Sequence, residues 1–258
     1  MIKFFIVLFS SLLLPSIGQD FILKETNNNN LLVEFELEKS MLVSDKGEYI
    51  SLNSSKGYST IIGMPKLPMY SSMIMLDPTK EYEISYTVKE SRILNDVKVI
   101  PNQIIVNGLE RETIQDIDNT FYNSNTAYPY TPVYLSEPMV MRDIVVSNIV
   151  VVPFRYIPSS RQLEIFDSID IHVEEVGQRE DVRVRDLPKS RVFENIYKNT
   201  ILNYNEQTRD EEYQTPAILY ICPGSLETNS NFEQLVEWRR QRGYIVYTAS
   251  TSNTGTSS

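Results

Sequence analysis

Residues 31–38 read LLVEFELE, and this stretch decides the fold class expected for most of the chain. Its odd-numbered positions are all apolar, whereas Glu34, Glu36 and Glu38 occupy even-numbered ones. Side chains that alternate with a period of two point to opposite faces, as a half-buried β-strand requires. We therefore predict a strand here, with its glutamates on the polar face.

Further strand-like runs are short and are mostly separated by Gly, Pro, Asn or Asp. They cover residues 48–52, 58–62, 71–76, 81–88, 97–100, 144–152, 162–166 and 168–176. Many short strands with turn residues at this spacing are typical of an antiparallel β-sandwich or jelly-roll-like domain. Residues 19–30 end in four asparagines and show no core pattern, so we expect a polar lead-in there.

The pattern changes at Gly177, where charged residues become dense. Residues 177–191 read GQREDVRVRDLPKSR, which is typical of a solvated connector. Apolar residues then recur at spacings of three and four over 192–204, which predicts one amphipathic helix capped by Ser190. A second polar stretch extends to residue 215, so a charged linker with one helix is expected over 177–215.

The last segment, residues 216–258, has the pattern of a different architecture. An apolar run at 217–222 (AILYIC) and a second at 244–248 (YIVYT) flank a helical pattern with a capping box at Ser230 and Glu233. Gly243 follows the helix, where a left-handed residue is favoured. Strand, helix and strand form the first βαβ unit of an α/β domain, and we expect the rest of that domain to be absent from the chain.

The N-terminus has the pattern of a signal peptide over residues 1–18. Lys3 precedes an apolar run at 4–14, and small residues follow, so cleavage is expected between Gly18 and Gln19. Pro15 makes the run too short for a membrane anchor, and no later stretch is apolar enough to span a membrane. We therefore expect a β-rich domain at 19–176 in a protein that is secreted to the extracellular space or cell surface and free of the membrane after signal removal.

Composition narrows the function classes. The 41% of hydrophobic residues predicts a folded core, and a net charge of −10 disfavours nucleic acid as a partner. The single Cys and single His exclude multi-cysteine and His-pair metal motifs, so we predict no metal site and no cofactor in this chain. Glu34, Glu36 and Glu38 could together bind calcium, but no Asp-rich loop accompanies them, and a solvated strand face is the favoured interpretation.

Cys222 and His172 are the minimal pair for thiolate chemistry. Cys222 ends an apolar run, however, and His172 lies between Asp170 and Glu174 on a polar face. We interpret them as a core thiol and a surface imidazole, and we predict no catalytic residue in this chain.

The order of several motifs resembles the gingipain family. Residues 63–68, GMPKLP, look like the G-x-P-x-L-P segment of the gingipain propeptide domain, and residues 136–158 and 163–173 are similar to its final strands. Residues 217–248, including Trp238-Arg239 and Gly243-Tyr244, resemble the opening of the gingipain-type catalytic domain.

The resemblance implies the N-terminal part of a secreted cysteine endopeptidase precursor that acts on protein substrates. Its prodomain is implied to inhibit its own downstream, caspase-like catalytic domain and to assist its folding. The family's catalytic His and Cys lie beyond this chain, which should be inactive alone, and calcium is possible only in the full-length protein. A basic side chain is implied to enter the specificity pocket; Arg155 and Arg161 flank an exposed-looking turn, but a surface role is favoured for both.

Maturation requires cleavage in exposed connectors. The local composition suggests four arginines as cleavage sites: Arg179, Arg185, Arg191 and Arg209.

The alternative function is a secreted β-sandwich adhesion or ligand-binding module without enzymatic activity. In that case residues 122–134, YNSNTAYPYTPVY, would form a sticky exposed loop.

Overall fold

The computed structural model describes residues 20–27, 30–38, 43–54, 56–106, 109–110, 113–180, 190–204 and 215–255. The predicted signal peptide, with Gly18 and Gln19, lies outside these ranges. Among the described helices, none combines the length and the apolar character needed to cross a membrane.

The chain is mainly β-structure, as predicted. The strands are β1 (Phe21–Asn27), β2 (Asn30–Glu36), β3 (Val43–Lys46), β4 (Tyr49–Leu52), β5 (Gly57–Tyr58), β6 (Pro68–Leu76), β7 (Lys80–Leu94), β8 (Ile105–Val106), β9 (Leu109–Glu110), β10 (Val133–Leu135), β11 (Met139–Met141), β12 (Ile144–Val151), β13 (Phe154–Ile157), β14 (Gln162–Gln178), β15 (Ala217–Cys222) and β16 (Ile245–Ser250). The helices are α1 (Asn119–Tyr122), α2 (Arg191–Thr200), α3 (Ser230–Gln241) and α4 (Thr251–Thr254), and a 3₁₀ helix spans Gly224–Thr228.

Two five-stranded sheets hold most of these strands. The first has the order β1-β2-β14-β13, with β7 also paired to β14, and the second has the order β10-β12-β6-β5, with β11 also paired to β12. The antiparallel pairs are β1–β2, β2–β14, β13–β14, β10–β12, β11–β12 and β5–β6.

The chain divides into two compact units, which we describe separately. Unit 1 draws on Met1–Ser71, Tyr82–Leu135 and Ile149–Val176. Unit 2 draws on Ser72–Glu81, Ser136–Asn148 and Gly177–Ser258.

Aromatic packing joins the two sheets in the core of unit 1. The ring of Phe35 in β2 meets Phe21 of β1 and Tyr70 of β6 edge-on, with ring centroids 5.2 Å apart in each pair. All three side chains are buried, and such a pair adds about 0.5–1.5 kcal/mol beyond the area that it buries. The apolar positions of residues 31–38 therefore face the core, as the alternation predicted.

Several local predictions were wrong. Residues 19–30 are not only a polar lead-in, because Phe21–Asn27 form β1, pair with β2 and bury Phe21 in the core. The strand expected at 58–62 is reduced to Gly57–Tyr58. The run at 97–100 forms only an isolated bridge, between Val99 and Ile50, and the two runs between 162 and 176 form one strand, β14.

In unit 2, β15 and β16 pair in parallel, and α3 lies between them in the chain. The predicted capping box is wrong, because Asn229 is the N-cap and its side chain accepts a hydrogen bond from the backbone N of Asn231. Gly243 has a φ of +86°, in agreement with the left-handed position predicted for it. On one face of this sheet Tyr220 packs edge-on against Phe232 of α3, with centroids 5.5 Å apart.

Candidate functional site

A loop in unit 1, residues 103–118, is fastened at its base by one buried side chain, that of Gln103. Its Nε2 donates to the carbonyl oxygens of Asp116 (2.8 Å) and Pro101 (3.1 Å). Its Oε1 accepts hydrogen bonds from the backbone N of Gln115 (2.8 Å) and of Asp116 (3.0 Å). The backbone N of Ile104 also donates to Oδ2 of Asp116 at 3.0 Å. We call residues 103–118 the pinned loop.

The base of the pinned loop rests on Gly63, the first residue of the GMPKLP segment. Gly63 has a φ of +80°, and a Cβ there would lie 2.9 Å from the backbone N of Asp118, so a side chain would force the loop away. The Gly63 backbone donates to the carbonyl of Asn102 (2.9 Å) and accepts from the N of Asp118 (3.0 Å). Asn102 is buried and donates from Nδ2 to the carbonyl of Ile61 at 3.2 Å. The motif that carried the family resemblance thus supports this loop.

Beside its fixed base the pinned loop exposes two apolar side chains. Strands β8 and β9 form a small antiparallel hairpin within it. Ile104 and Ile105 are 42% and 64% exposed. Exposed apolar side chains on a fixed base suit docking into a cleft, because little chain entropy remains to be lost on binding. Sequence reasoning missed this hairpin, although Asn107-Gly108 between apolar residues is a hairpin signal.

The turn near Arg155 and Arg161 is a weaker candidate for a docking element. Arg155 is exposed on β13 and stands opposite Glu164 of β14. Arg161 is exposed as well, and its Nη1 lies 3.1 Å from Oδ1 of Asp96. Neither observation distinguishes these arginines from ordinary surface residues, as the sequence analysis expected.

Two tyrosines of the segment 122–134, Tyr122 and Tyr128, pack within unit 1. The Tyr122 hydroxyl donates to the carbonyl of Val99 at 2.7 Å, and burial raises the pKa of Tyr122. Tyr128 is buried and forms an isolated bridge with Tyr156. In this segment Tyr130, at 72%, is the most exposed large hydrophobic side chain. The packing does not support a sticky loop.

Two of the four arginines proposed as cleavage sites lie within the described residues. Arg179 is exposed just after β14, and its backbone N donates to the carbonyl of Thr79 at 2.8 Å. Arg191 is the first residue of α2. Arg185 and Arg209 lie outside the described residues.

Cys222 and His172 lie in different units. Cys222 is a buried, free thiol at the end of β15. His172 is half-buried in β14, where it pairs with Leu32 of β2.

Of the three glutamates considered as calcium ligands, Glu34 forms ion pairs with two lysines. It is buried, with Lys89 Nζ 2.9 Å from Oε1 and Lys24 Nζ in contact with Oε2. The ammonium groups of Lys24 and Lys89 lower the pKa of Glu34. Glu36 and Glu38 are exposed. Within the described ranges, no group of three or more His, Cys, Asp or Glu side chains is arranged to hold a metal ion.

The chain is similar to a propeptide family and to gingipains. The Propeptide_C25 family matches residues 25–211, a range that includes the pinned loop and α2. Gingipain R2 of Porphyromonas gingivalis is 25% identical over 229 residues, covering 83% of this chain and 31% of the relative. Gingipain R1 of the same organism is 24% identical over 184 residues, covering 70% of this chain and 18% of the relative. The chain therefore spans less than a third of the length of either relative.

A solved structure has the same fold. It is the complex of the Porphyromonas gingivalis RgpB pro- and mature domains, with a TM-score of 0.60 and 19% identity. The likeness covers 71% of this chain and 97% of that chain.

Proposed function

This chain belongs to the Propeptide_C25 family, the propeptides of gingipain cysteine peptidases, and from that premise we propose that it inhibits a catalytic domain encoded downstream and assists its folding. The observation that carries this proposal is the pinned loop, which exposes Ile104 and Ile105 beside a base fixed by Gln103 and Gly63. The loop docks on the catalytic cleft and excludes protein substrates. Covalent connection to the catalytic domain keeps the loop at a high effective concentration until the chain is cut.

The pinned loop also contains one basic residue in its sequence. Arg111 is the sole Lys or Arg between Lys98 and Arg142, and it lies outside the described residues. We assign to Arg111 the basic side chain that family resemblance implies for the specificity pocket. A guanidinium in such a pocket forms charge-assisted, bidentate hydrogen bonds to a carboxylate.

The C-terminal βαβ unit is proposed to be the start of the caspase-like catalytic domain. Tyr220 is covered by Phe232, but on the opposite face Leu219, Ile221 and Tyr247 are each more than half exposed. A sheet of an α/β domain is normally covered on both faces, so this exposed face supports a continuation of the domain. Neither Cys222 nor His172 has a catalytic role in this proposal, and the chain alone is inactive.

Export and maturation complete the proposal. The signal peptide is removed between Gly18 and Gln19, the precursor is secreted, and the chain is cut at one or more of Arg179, Arg185, Arg191 and Arg209. We propose neither nucleic acid nor a membrane as a partner.

The proposal is tested by titrating the chain of residues 19–258 against a mature gingipain R with a peptide substrate. We expect competitive inhibition, and Arg111→Ala should raise the inhibition constant at least about thirtyfold, because losing a buried charged contact costs about 2 kcal/mol or more. Arg155→Ala is the matched control and should leave the constant unchanged. An inhibition constant for Arg111→Ala equal to that of the wild type would refute the assignment, and absence of inhibition by every variant would favour the binding-module alternative.

A further inference from the structure

The segment 191–204, which the sequence predicted as the amphipathic helix of a charged linker, packs onto other elements of unit 2. Tyr197 and Ile201, only 1% and 4% exposed, form a cluster with Val146 of β12. Met73, Met75, Met141, Ile144, Phe193 and Tyr204 pack around that cluster. We call residues 191–204 the clip, and the surface formed by Met73, Met75, Met141, Ile144 and Val146 the clip surface.

The end of the clip binds β6 as an added strand would. Ile201 forms a parallel bridge with Met73, and the backbone N of Leu202 donates to the Met73 carbonyl at 2.8 Å. The Asn203 side-chain amide then makes the two hydrogen bonds that the backbone of a neighbouring strand would make. Its Oδ1 accepts from the N of Met75 at 2.7 Å, and its Nδ2 donates to the Met75 carbonyl at 2.8 Å. These bonds hold the clip in one register on β6.

The helical part of the clip is held by Tyr197. Its hydroxyl donates to Oδ1 of Asp143 at 2.6 Å and lies 3.1 Å from the Met141 carbonyl. Arg142, in the turn between β11 and β12, contacts the same carboxylate at 3.1 Å and stands 5.6 Å from the centroid of the Phe193 ring. The clip therefore combines an apolar anchor with a charge-assisted hydrogen bond, a combination typical of stable docking contacts.

Two cleavage candidates flank the clip on opposite sides. Arg185 precedes it and Arg209 follows it in the sequence. Hydrolysis after Arg185 leaves the clip on the C-terminal fragment, whereas hydrolysis after Arg209 leaves it on the N-terminal fragment. The clip surface, built from residues 73–146, stays on the N-terminal fragment in both cases.

We propose that the clip is a non-covalent tether whose partner is the clip surface of its own chain. A cut after Arg185 leaves the two fragments bound through the clip, and a cut after Arg209 lets them separate. The position of the cut, rather than cutting as such, then determines whether the N-terminal part is released.

The test uses two forms of the chain of residues 19–258, each with one inserted recognition sequence for a site-specific protease. One form carries it between Arg185 and Asp186, and the other between Arg209 and Asp210. After complete digestion, size-exclusion chromatography at decreasing concentration measures whether the fragments co-elute. We expect co-elution for the first form and separation for the second.

Substitutions in the first form locate the contact. Tyr197→Ala should raise the dissociation constant of the digested fragments at least about a hundredfold, since truncating a buried aromatic side chain costs about 3 kcal/mol or more. Tyr197→Phe, which removes only the hydroxyl, should raise it about tenfold. Val192→Ala is the control, because Val192 lies in the same helix and is 58% exposed.

The melting curve of each uncut variant shows whether the rest of the chain is folded. Separation of the wild-type fragments after the first cut would overturn the proposal. Co-elution after the second cut, or equal retention by Tyr197→Ala and Val192→Ala, would also overturn it, because the fragments would then be held together by something other than the clip.

Discussion

Replacing Gln103 by Ala should release the base of the pinned loop without changing its exposed side chains, Ile104 and Ile105. The Gln103 side chain makes four hydrogen bonds of 2.8–3.1 Å, which join Pro101, Gln115 and Asp116. A hydrogen bond contributes about 0.5–1.5 kcal/mol net of its exchange with water, so the four together hold the loop closed by about 2–6 kcal/mol. The substitution should therefore shift the loop toward open conformations rather than unfold unit 1.

We expect Gln103→Ala to weaken inhibition of the catalytic domain. If only the closed loop fits the catalytic cleft, the apparent affinity falls with the closed fraction, so a Gln103→Ala loop that favours the open state by about 2 kcal/mol has about a thirtyfold higher inhibition constant. The assay is inhibition of a mature gingipain R by the chain of residues 19–258. Hydrogen exchange at the amides of Gln115 and Asp116, which now donate to Gln103, should accelerate in parallel.

Two further variants make this prediction specific. Gln162→Ala removes the same side chain outside the pinned loop, where it donates to Asn95 at 3.0 Å, and should leave inhibition unchanged. Gln103→Glu retains the acceptor oxygens but loses the donors to Pro101 and Asp116, so its effect should be intermediate. An inhibition constant for Gln103→Ala within about threefold of wild type, together with faster exchange, would refute the view that loop closure determines binding.

Ser147 is fully buried, and its hydroxyl has no hydrogen-bond partner in the described part of the chain, so Ser147→Ala should raise the free energy of unfolding by about 1 kcal/mol in urea titrations; a decrease would contradict this. Lys89→Met should lower the melting temperature at pH 7, where Glu34 is charged, and the difference should shrink as the pH falls below 4.5, because the lowered pKa of Glu34 stabilises the fold only while the group is ionised. An equal difference at pH 7 and pH 3 would argue against that ion pair. Burial raises the pKa values of Tyr122 and Tyr197 above 10.0, so their contribution to stability is complete below pH 10 and is lost as the pH rises toward those values. Melting temperatures should therefore fall above pH 10, and a flat profile to pH 11.5 would contradict the buried positions of these hydroxyls.

The strands that the sequence predicted are those whose own side chains carry a periodic pattern. Residues 31–38 alternate, and β2 follows with Leu31, Val33 and Phe35 buried. The sequence of β1, FILKETN, has no such pattern, and it becomes a strand because β2 offers an edge and Phe35 a ring contact for Phe21. Tertiary pairing of this kind lies outside a local reading of the sequence.

The candidate site was predictable in part. GMPKLP was recognised as a family segment, but its physical role depends on the approach of Asp118 to Gly63, which the sequence does not display. The position of the clip was beyond prediction for a similar reason. Asn203 binds Met75, which precedes it by 128 residues, and Tyr197 binds Asp143, 54 residues away. An amphipathic helix shows that it has an apolar face but does not show what covers that face.

The most direct test of the account is a hydrogen-exchange footprint of the chain of residues 19–258 bound to a mature gingipain R. We expect the strongest new protection on the pinned loop, at Ile104, Ile105 and the residues up to Gln115. Protection confined to residues 122–134 or to the turn between Arg155 and Arg161, with the pinned loop exchanging as in the free chain, would contradict it.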